Sequence, residues 1–207
     1  MVNPQPTFLT IKNHISYHLD QMIQEVETMK KSIGEREYCL LCELGQIRER
    51  FDEVQSSASY FYLQAYISSY TSSYLELAKA IQNMSKQRHG ALIAIEREDK
   101  VEPKLQGGVT INADLSNRLI ESIFYPGNPL HDGAVYVKGE HILSAGNILP
   151  LTSKAFPKEK VGTRHRAAIG LSEMSDALIL VVSEETGKMS FALDGTLYPI
   201  VSSESKG

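Results

Sequence analysis

Apolar residues recur at spacings of three and four from near the start of the chain: Phe8, Ile11, Ile15, Leu19, Met22, Val26 and Met29. That period places them on one face of an amphipathic helix. The run breaks at Lys31-Ser32-Ile33-Gly34, where Gly34 suits a helix terminus. The pattern resumes with Tyr38, Leu41, Leu44, Ile47, Phe51 and Val54, which predicts a second helix. Two helices joined by a short loop form an antiparallel hairpin. A pair this small buries little surface, so it needs something else to pack on. The polar stretch Ser56-Ser57-Ala58-Ser59 marks a hinge. A third helix is expected over residues 59–86, striped by Tyr60, Leu63, Ile67, Tyr70, Tyr74, Leu77, Ile81 and Met84 and closed by His89-Gly90.

After Gly90 the pattern changes. Ala91-Leu92-Ile93-Ala94-Ile95 is a short apolar run of the kind a buried strand shows. Gly107-Gly108-Val109-Thr110-Ile111 reads as a turn entering a strand, and Asp114 as the cap of a helix on Leu115, Leu119, Ile120 and Ile123. Ala134-Val135-Tyr136-Val137, the turn Lys138-Gly139-Glu140 and His141-Ile142-Leu143-Ser144-Ala145 predict a β-hairpin. Residues 177–182 and 189–193 predict two further strands. The fold class is therefore α/β: a mixed β-sheet surrounded by helices, preceded by an N-terminal α-helical hairpin. The expected division is a helical hairpin over residues 1–56 and a second domain over residues 57–207.

Composition narrows the classes. The 207 residues suffice for one typical domain plus an appendage. The longest apolar run, residues 177–182, is far short of the ~20 residues of a membrane span. The opening Met1-Val2-Asn3-Pro4-Gln5-Pro6 has no basic cluster feeding an apolar core, so no signal peptide is expected and the expected location is the cytoplasm. Net charge is -4, which offers no global basic field for nucleic acid. An anionic substrate then has to be held by local groups or a metal. Two cysteines, Cys39 and Cys42, exclude a disulfide scaffold and a four-cysteine zinc site within the chain.

Three motifs carry candidate chemistry. Asp132, in Leu130-His131-Asp132-Gly133-Ala134, is either a turn residue entering the hairpin or a metal ligand at a strand end; Gly133 and Ala134 leave room for a ligand. Gly162-Thr163-Arg164-His165-Arg166-Ala167-Ala168 is either a solvated basic turn or a polyphosphate site. Arg forks match phosphate oxygens, and a helix starting near Ala167 would favour an anion at its N-terminus. Ser183-Glu184-Glu185 follows an apolar strand, and is either a polar hairpin loop or a hydroxyl and carboxylate placed to meet a ligand. The chain has no P-loop and no Gly-x-Gly-x-x-Gly. His14 and His18 lie four apart with no third ligand near in sequence. Cys39-Leu40-Leu41-Cys42 falls inside the apparent second helix, where buried packing is expected rather than redox chemistry.

In order, Gly90-Ala91-Leu92-Ile93, Leu130-His131-Asp132-Gly133-Ala134, Asn147-Ile148-Leu149-Pro150, the Arg-His-Arg motif and Val182-Ser183-Glu184-Glu185-Thr186-Gly187 resemble the diadenylate cyclase (DAC) domain over roughly residues 60–200. The chain most resembles the soluble, sporulation-type branch, in which a short helical segment precedes the domain. The resemblance implies condensation of two ATP into cyclic di-AMP with Mn2+ or Mg2+. By it, Asp132 binds the metal and helps activate a ribose 3′-hydroxyl. Gly133 and Ala134 line the nucleotide, and Leu149 meets the adenine through its backbone. Thr163, Arg164, His165 and Arg166 hold the triphosphate, Ser183 contacts phosphate, and Glu184, with Glu185 as the alternative, is a second acidic group at the metal. No membrane or nucleic-acid partner is implied. Each motif occurs once, whereas the reaction uses two nucleotides, so two chains are expected to face each other about a two-fold axis. The hairpin is expected to build a larger homo-oligomer. The competing class is a nucleotide-binding regulatory protein without catalysis; a helical scaffold would leave the Arg-His-Arg motif unexplained.

Overall fold

The computed structural model describes residues 8–33, 39–154 and 162–200. The elements are α1 (Phe8–Ser32), α2 (Leu40–Ser68), α3 (Tyr74–Gln87), β1 (Ala91–Ile95), a 3-10 turn (Glu102–Lys104), β2 (Gln106–Asp114), α4 (Asn117–Ile123), β3 (Ala134–Lys138), β4 (His141–Ile148), α5 (Thr163–Met174), β5 (Leu178–Val182), β6 (Met189–Leu193) and β7 (Thr196–Ile200). The chain forms two compact units, Met1–Tyr62 and Leu63–Gly207.

In the first unit, Glu25 of α1 holds Arg50 of α2 at 2.8 Å, so the two helices run back alongside each other. The expected loop glycine, Gly34, and Tyr38 lie outside the described residues, as do the side chains of Phe8 and Ile11. Among the described residues of this unit, Met29 and Val54 are the buried apolar side chains, while Leu19, Ile23, Val26, Leu41, Leu44 and Phe51 stay exposed. Full burial of a large apolar side chain contributes roughly 1.5–3 kcal/mol. Ordering the backbone costs about 1–2 kcal/mol per residue.

The third helix differs from expectation. α2 runs through Ser56-Ser57-Ala58-Ser59 without a break, and α3 begins only at Tyr74. Serine alone does not end a helix; here a tertiary partner sets the break. The Glu140 carboxylate, in the turn between β3 and β4, accepts the Ser72 N–H at 2.6 Å, the Thr71 hydroxyl at 3.2 Å and a short hydrogen bond from the Ser73 hydroxyl. Nothing within residues 56–73 announces that acceptor.

The second unit is built on a seven-stranded sheet in the order β2-β4-β3-β1-β5-β6-β7. β1 and β3 are parallel and every other pair is antiparallel, which is the mixed sheet expected. Strands β1, β5 and β6 are buried at every position. A strand buried on both faces needs cover on both. α5 supplies one side, with Ala167, Ala168 and Leu171 against Leu92, Ala94, Ile179, Val181 and Ala192. α3 supplies the other through buried Leu77, Ile81 and Met84, and α4 packs against α3 with Ile120 and Ile123 buried.

Two local expectations are corrected. Asp114 does not cap α4: it ends β2 and pairs with His141 at 3.2 Å, and the cap is Ser116, which accepts the Leu119 N–H. β7 was not expected, although its signal was legible. Asp194 and Gly195 both have positive φ (50° and 69°), the conformation of a tight two-residue hairpin that Asp-Gly favours.

Candidate active site

Strand register brings the separated motifs to one end of the sheet. β1 pairs with β3 in parallel (Ile93↔Val135) and with β5 antiparallel (Ala91↔Val182), while β3 pairs with β4 antiparallel (Ala134↔Asn147). The starts of β1 and β3 and the ends of β4 and β5 therefore lie together. Gly90, Asp132-Gly133, Leu149 and Ser183-Glu184 are the residues at those four positions.

α5 begins at Thr163, earlier than the small-residue run implied, so Thr163, Arg164, His165 and Arg166 form its first turn. Gly162 precedes it with extended backbone, and among the described residues no side-chain hydrogen bond caps the turn. An uncapped helix N-terminus presents free N–H groups and the positive end of the helix dipole. The helix is pressed against the segment after β4: a Cβ on Gly170 would stand 2.2 Å from Pro150 O. There the Thr152 N–H donates to Arg166 O at 3.1 Å, and Arg166 Nη2 donates to Thr152 O at 3.4 Å. Leu149 is buried at 4 % exposure among Ala167 and Ala168, while its neighbour Ile148 is 63 % exposed.

Arg164 is half-buried and reaches Glu184, with Nη1–Oε2 at 2.7 Å. Glu184, and not Glu185, is the carboxylate that makes this pair. Gly90 is its seat: a Cβ there would lie 2.5 Å from Arg164 Nη1, 2.8 Å from its Cζ and 2.9 Å from Glu184 Cβ. The Arg164 hydrogen bond holds the Glu184 carboxyl below its ordinary range, its charge adds to this, and His131 and His89 contribute smaller effects of the same sign. Arg164 Nε is buried without a hydrogen bond, an exception among buried donors. Burial, and then the adjacent Arg164 charge, pushes the His165 imidazole below its ordinary value.

Asp132 is exposed, on a turn organised by Asn128. Asn128 Oδ1 accepts the Leu130 N–H at 2.9 Å, its backbone O accepts the His131 N–H at 3.1 Å, and its Nδ2 donates to Ser122 O at 2.8 Å. Gly133, at φ +119°, passes so close to β4 that a Cβ would stand 2.7 Å from the Gly146 carbonyl carbon. Only glycine combines that backbone with that clearance. Asn147, 2 % exposed, donates Nδ2 to Ala134 O at 2.8 Å and fixes the start of β3 from behind. Ser183 Oγ accepts the Thr186 N–H and the Ser183 carbonyl accepts the Gly187 N–H, which shapes the loop carrying Glu184. An open cleft of about 920 Å³ adjoins this region, lined in part by His89, Arg118, Tyr125 and Asn128.

Among the described residues no group of three or more His, Cys, Asp or Glu side chains stands together as a metal cage. The side chain of His14 lies outside the described residues. Asp132 and Glu184 offer carboxylate oxygens only. Mg2+ is commonly held by one or two carboxylates plus substrate phosphates and waters, so this donor set fits a hard divalent ion that arrives with a nucleotide.

Comparison with known proteins decides the family. The profile of the DisA bacterial checkpoint controller nucleotide-binding (DAC) family matches residues 78–197, and that of the N-terminal region of diadenylate cyclase CdaS matches residues 8–70. The chain belongs to the diadenylate cyclase family.

Cyclic di-AMP synthase CdaS of Bacillus subtilis (strain 168) is 52% identical over 191 residues, 92% of each chain. Diadenylate cyclase CdaS of Bacillus thuringiensis (strain BMB171) is 52% identical over 194 residues, 92% of this chain and 96% of its own. A Bacillus cereus crystal structure, described as that of a hypothetical membrane spanning protein, superposes with TM-score 0.78 at 51% identity, covering 93% of this chain and 94% of its own. In the present cyclase, among the described residues, no helix is long and apolar enough to cross a membrane. A DacA structure from Staphylococcus aureus matches with TM-score 0.59 at 41% identity, over 62% of this chain and 85% of its own. Diadenylate cyclases are nucleotidyltransferases, and this chain is one of them.

Gly90, Asn128 and Asn147 are residues of the site for which the sequence pointed to no part in it; Gly90 read only as the close of a helix. Gly90 opens the Gly90-Ala91-Leu92-Ile93 motif, but its purpose is visible only once Arg164 and Glu184 are placed around it. Gly90→Ala should disturb the pair, because Glu184 Cβ at 2.9 Å is not the loose end of a side chain. Overpacking costs about 1–3 kcal/mol; with that cost falling on the placement of Arg164, affinity for a non-hydrolysable ATP analogue should fall by about fivefold to a hundredfold. Calorimetry alongside a melting curve checks this; unchanged affinity would show that the seat is not needed.

Proposed function

We infer that this chain condenses two ATP into cyclic di-AMP and two pyrophosphates, at a site shared between two facing protomers. The observation that carries the reading is the meeting, at one sheet end, of an uncapped helix N-terminus, the Arg164–Glu184 pair and the Asp132 turn. Thr163, Arg164, His165 and Arg166 hold the triphosphate with backbone N–H groups, two guanidinium forks and an imidazole N–H. Gly133 and Ala134 line the nucleotide, Leu149 meets the adenine through its backbone, and Ser183 contacts phosphate. Glu184 holds Arg164 in place before substrate arrives, and with Asp132 would hold a divalent ion, Mn2+ or Mg2+. When bound, that ion lowers the pKa of the attacking hydroxyl and neutralises phosphate charge. Asp132 helps activate the ribose 3′-hydroxyl, whose oxygen bonds to the α-phosphorus of the other ATP as the bond to the β-phosphate oxygen breaks. Such transfer rests mostly on positioning and charge neutralisation. Each chain has one copy of these groups, so two chains are needed.

Incubation with ATP and Mn2+ or Mg2+, followed by mass spectrometry for cyclic di-AMP, tests the reaction. ATP that binds and is returned unchanged would favour a non-catalytic regulatory protein instead.

Residues 1–56 are read as an oligomerisation and regulatory hairpin, and residues 57–207 as the catalytic domain, in a cytoplasmic protein. The exposed apolar positions of α1 and α2 support this, since large exposed apolar patches mark interaction surfaces. The partner proposed is a second copy of the chain, in an oligomer larger than a dimer that restrains face-to-face pairing. A chain beginning at Ser57 keeps the buried Leu63 and Ile67. It should form smaller particles by light scattering and make cyclic di-AMP faster. Unchanged particle size would remove the assembly role; smaller but slower particles would reverse the sign of the regulation.

A further inference from the structure

Cys39 and Cys42 are the only cysteines in the chain. Their spacing predicted burial inside a helix. Instead Cys39 is the residue before α2 and Cys42 lies in its first turn, both are exposed, and their sulfurs are joined. Their Cα atoms are 5.3 Å apart, within the span that disulfides bridge. Cys39 O accepts the N–H groups of Cys42 at 3.0 Å and Glu43 at 3.2 Å, so the bonded pair straddles the helix entrance.

Such a bridge is a poor staple. In the chain-entropy account, a disulfide stabilises in proportion to the logarithm of the loop it closes. Here the sequence separation is 3, close to the smallest possible loop. The placement favours chemistry instead. A Cys-x-x-Cys pair at a helix N-terminus has one thiolate steadied by helix amides and a second thiol in reach to close the bond. Exposure admits an incoming thiolate to either sulfur. Glu43 in the same turn opposes the thiolate. Leu41, between the two cysteines, is 81 % exposed, and Leu40 and Leu44 on the same turns are exposed too. The bond therefore sits within the apolar surface of the N-terminal unit.

We propose that Cys39 and Cys42 form a thiol–disulfide exchange site that reacts with dithiols, and that its oxidation state sets how far the N-terminal unit assembles chains. The second half rests on the assembly reading given above. In the reductive direction a thiolate of the dithiol attacks one cysteine sulfur and the Cys39–Cys42 bond breaks. The other cysteine leaves as a thiolate and takes a proton. The second thiolate of the reductant attacks the mixed disulfide, the first cysteine is released and protonated, and the reductant departs as a disulfide. Two electrons and two protons have entered the chain. Oxidation is the reverse, with a disulfide as acceptor. The bonded form ties the two side chains together beside Leu41 at the helix entrance; the reduced form puts two separate thiols there, on a turn still held by the N–H groups of Cys42 and Glu43.

The experiment uses the full chain equilibrated in glutathione buffers of graded ratio, and separately treated with dithiothreitol. Samples are alkylated for mass mapping, and their particle mass is measured by light scattering. The expected result is a closed pair in excess glutathione disulfide, an open pair alkylated at both cysteines in dithiothreitol without denaturant, and particles of different mass in the two states. The double variant Cys39→Ser, Cys42→Ser should keep the reduced particle mass in every buffer. A pair that opens only in denaturant, or that alkylates fully in excess glutathione disulfide, overturns the exchange site. Full exchange with identical particle mass overturns the link to assembly. If instead the chain beginning at Ser57 keeps the full particle mass, the assembly reading is what fails, and mass mapping judges the exchange chemistry separately.

Discussion

Asp132→Asn is expected to abolish cyclisation while ATP binding survives in part. The side chain is exposed on a turn whose backbone is held by Asn128 before it and by Gly133 and Asn147 after it. The substitution is nearly isosteric, and Asp132 makes none of those structural hydrogen bonds, so the fold should not change. What is lost is a negative charge at the place proposed for a metal and a ribose hydroxyl. If the ion activates that hydroxyl, the rate should fall on the order of 100-fold or more. Binding should fall less, because the triphosphate site proposed lies on α5, not on the Asp132 turn. Turnover near that of the unmodified chain, with binding and melting temperature unchanged, would remove Asp132 from the mechanism.

Arg164→Ala should weaken binding of a non-hydrolysable ATP analogue more than any change at Arg166. Arg164 is prepositioned by Glu184 at 2.7 Å, whereas Arg166 Nη2 makes one longer hydrogen bond to Thr152 O. A hydrogen bond to a charged group contributes roughly 1.5–3 kcal/mol, so a loss of about tenfold to a hundredfold is expected. Removing Arg164 also leaves Glu184 facing the phosphates without its counter-charge, which adds repulsion. Arg164→Lys should restore little, since an ammonium cannot donate to Glu184 and phosphate as a planar fork does. Calorimetry on both variants measures this. Equal affinity in Arg164→Ala and the unmodified chain would make the motif a surface turn.

The motifs were legible because each is short and chemically distinctive. Their convergence was not, because it depends on strand order: β1 lies between β3 and β5, and no local pattern announces that its antiparallel pairing with β5 will bring Gly90 beside Glu184. Helix boundaries failed where a distant group set them. Glu140 ends the helical run before Tyr74, and Ser116 replaces Asp114 as a cap because β2 claims Asp114 for its pairing with β4. The cysteine pair was misplaced for a related reason. Apolar spacing continues from Tyr38 through Leu41 and Leu44, yet α2 starts at Leu40, which turns an interior motif into an exposed entrance. The Arg-His-Arg motif gained the most from the structure: placing it in the first turn of α5 adds uncapped backbone N–H groups to its two guanidinium groups.

The central claim is that one chain carries half a site. Purified Asp132→Asn chains are mixed with unmodified chains under conditions in which labelled subunits are shown to exchange, and cyclic di-AMP formation is measured across the mixing ratio. If both protomers must supply a working set of groups, activity follows the fraction of pairs in which both chains are unmodified. An equal mixture should then give about one quarter of the activity of the same total of unmodified chain. Activity that stays proportional to the unmodified fraction, about one half in the equal mixture, would contradict the shared site.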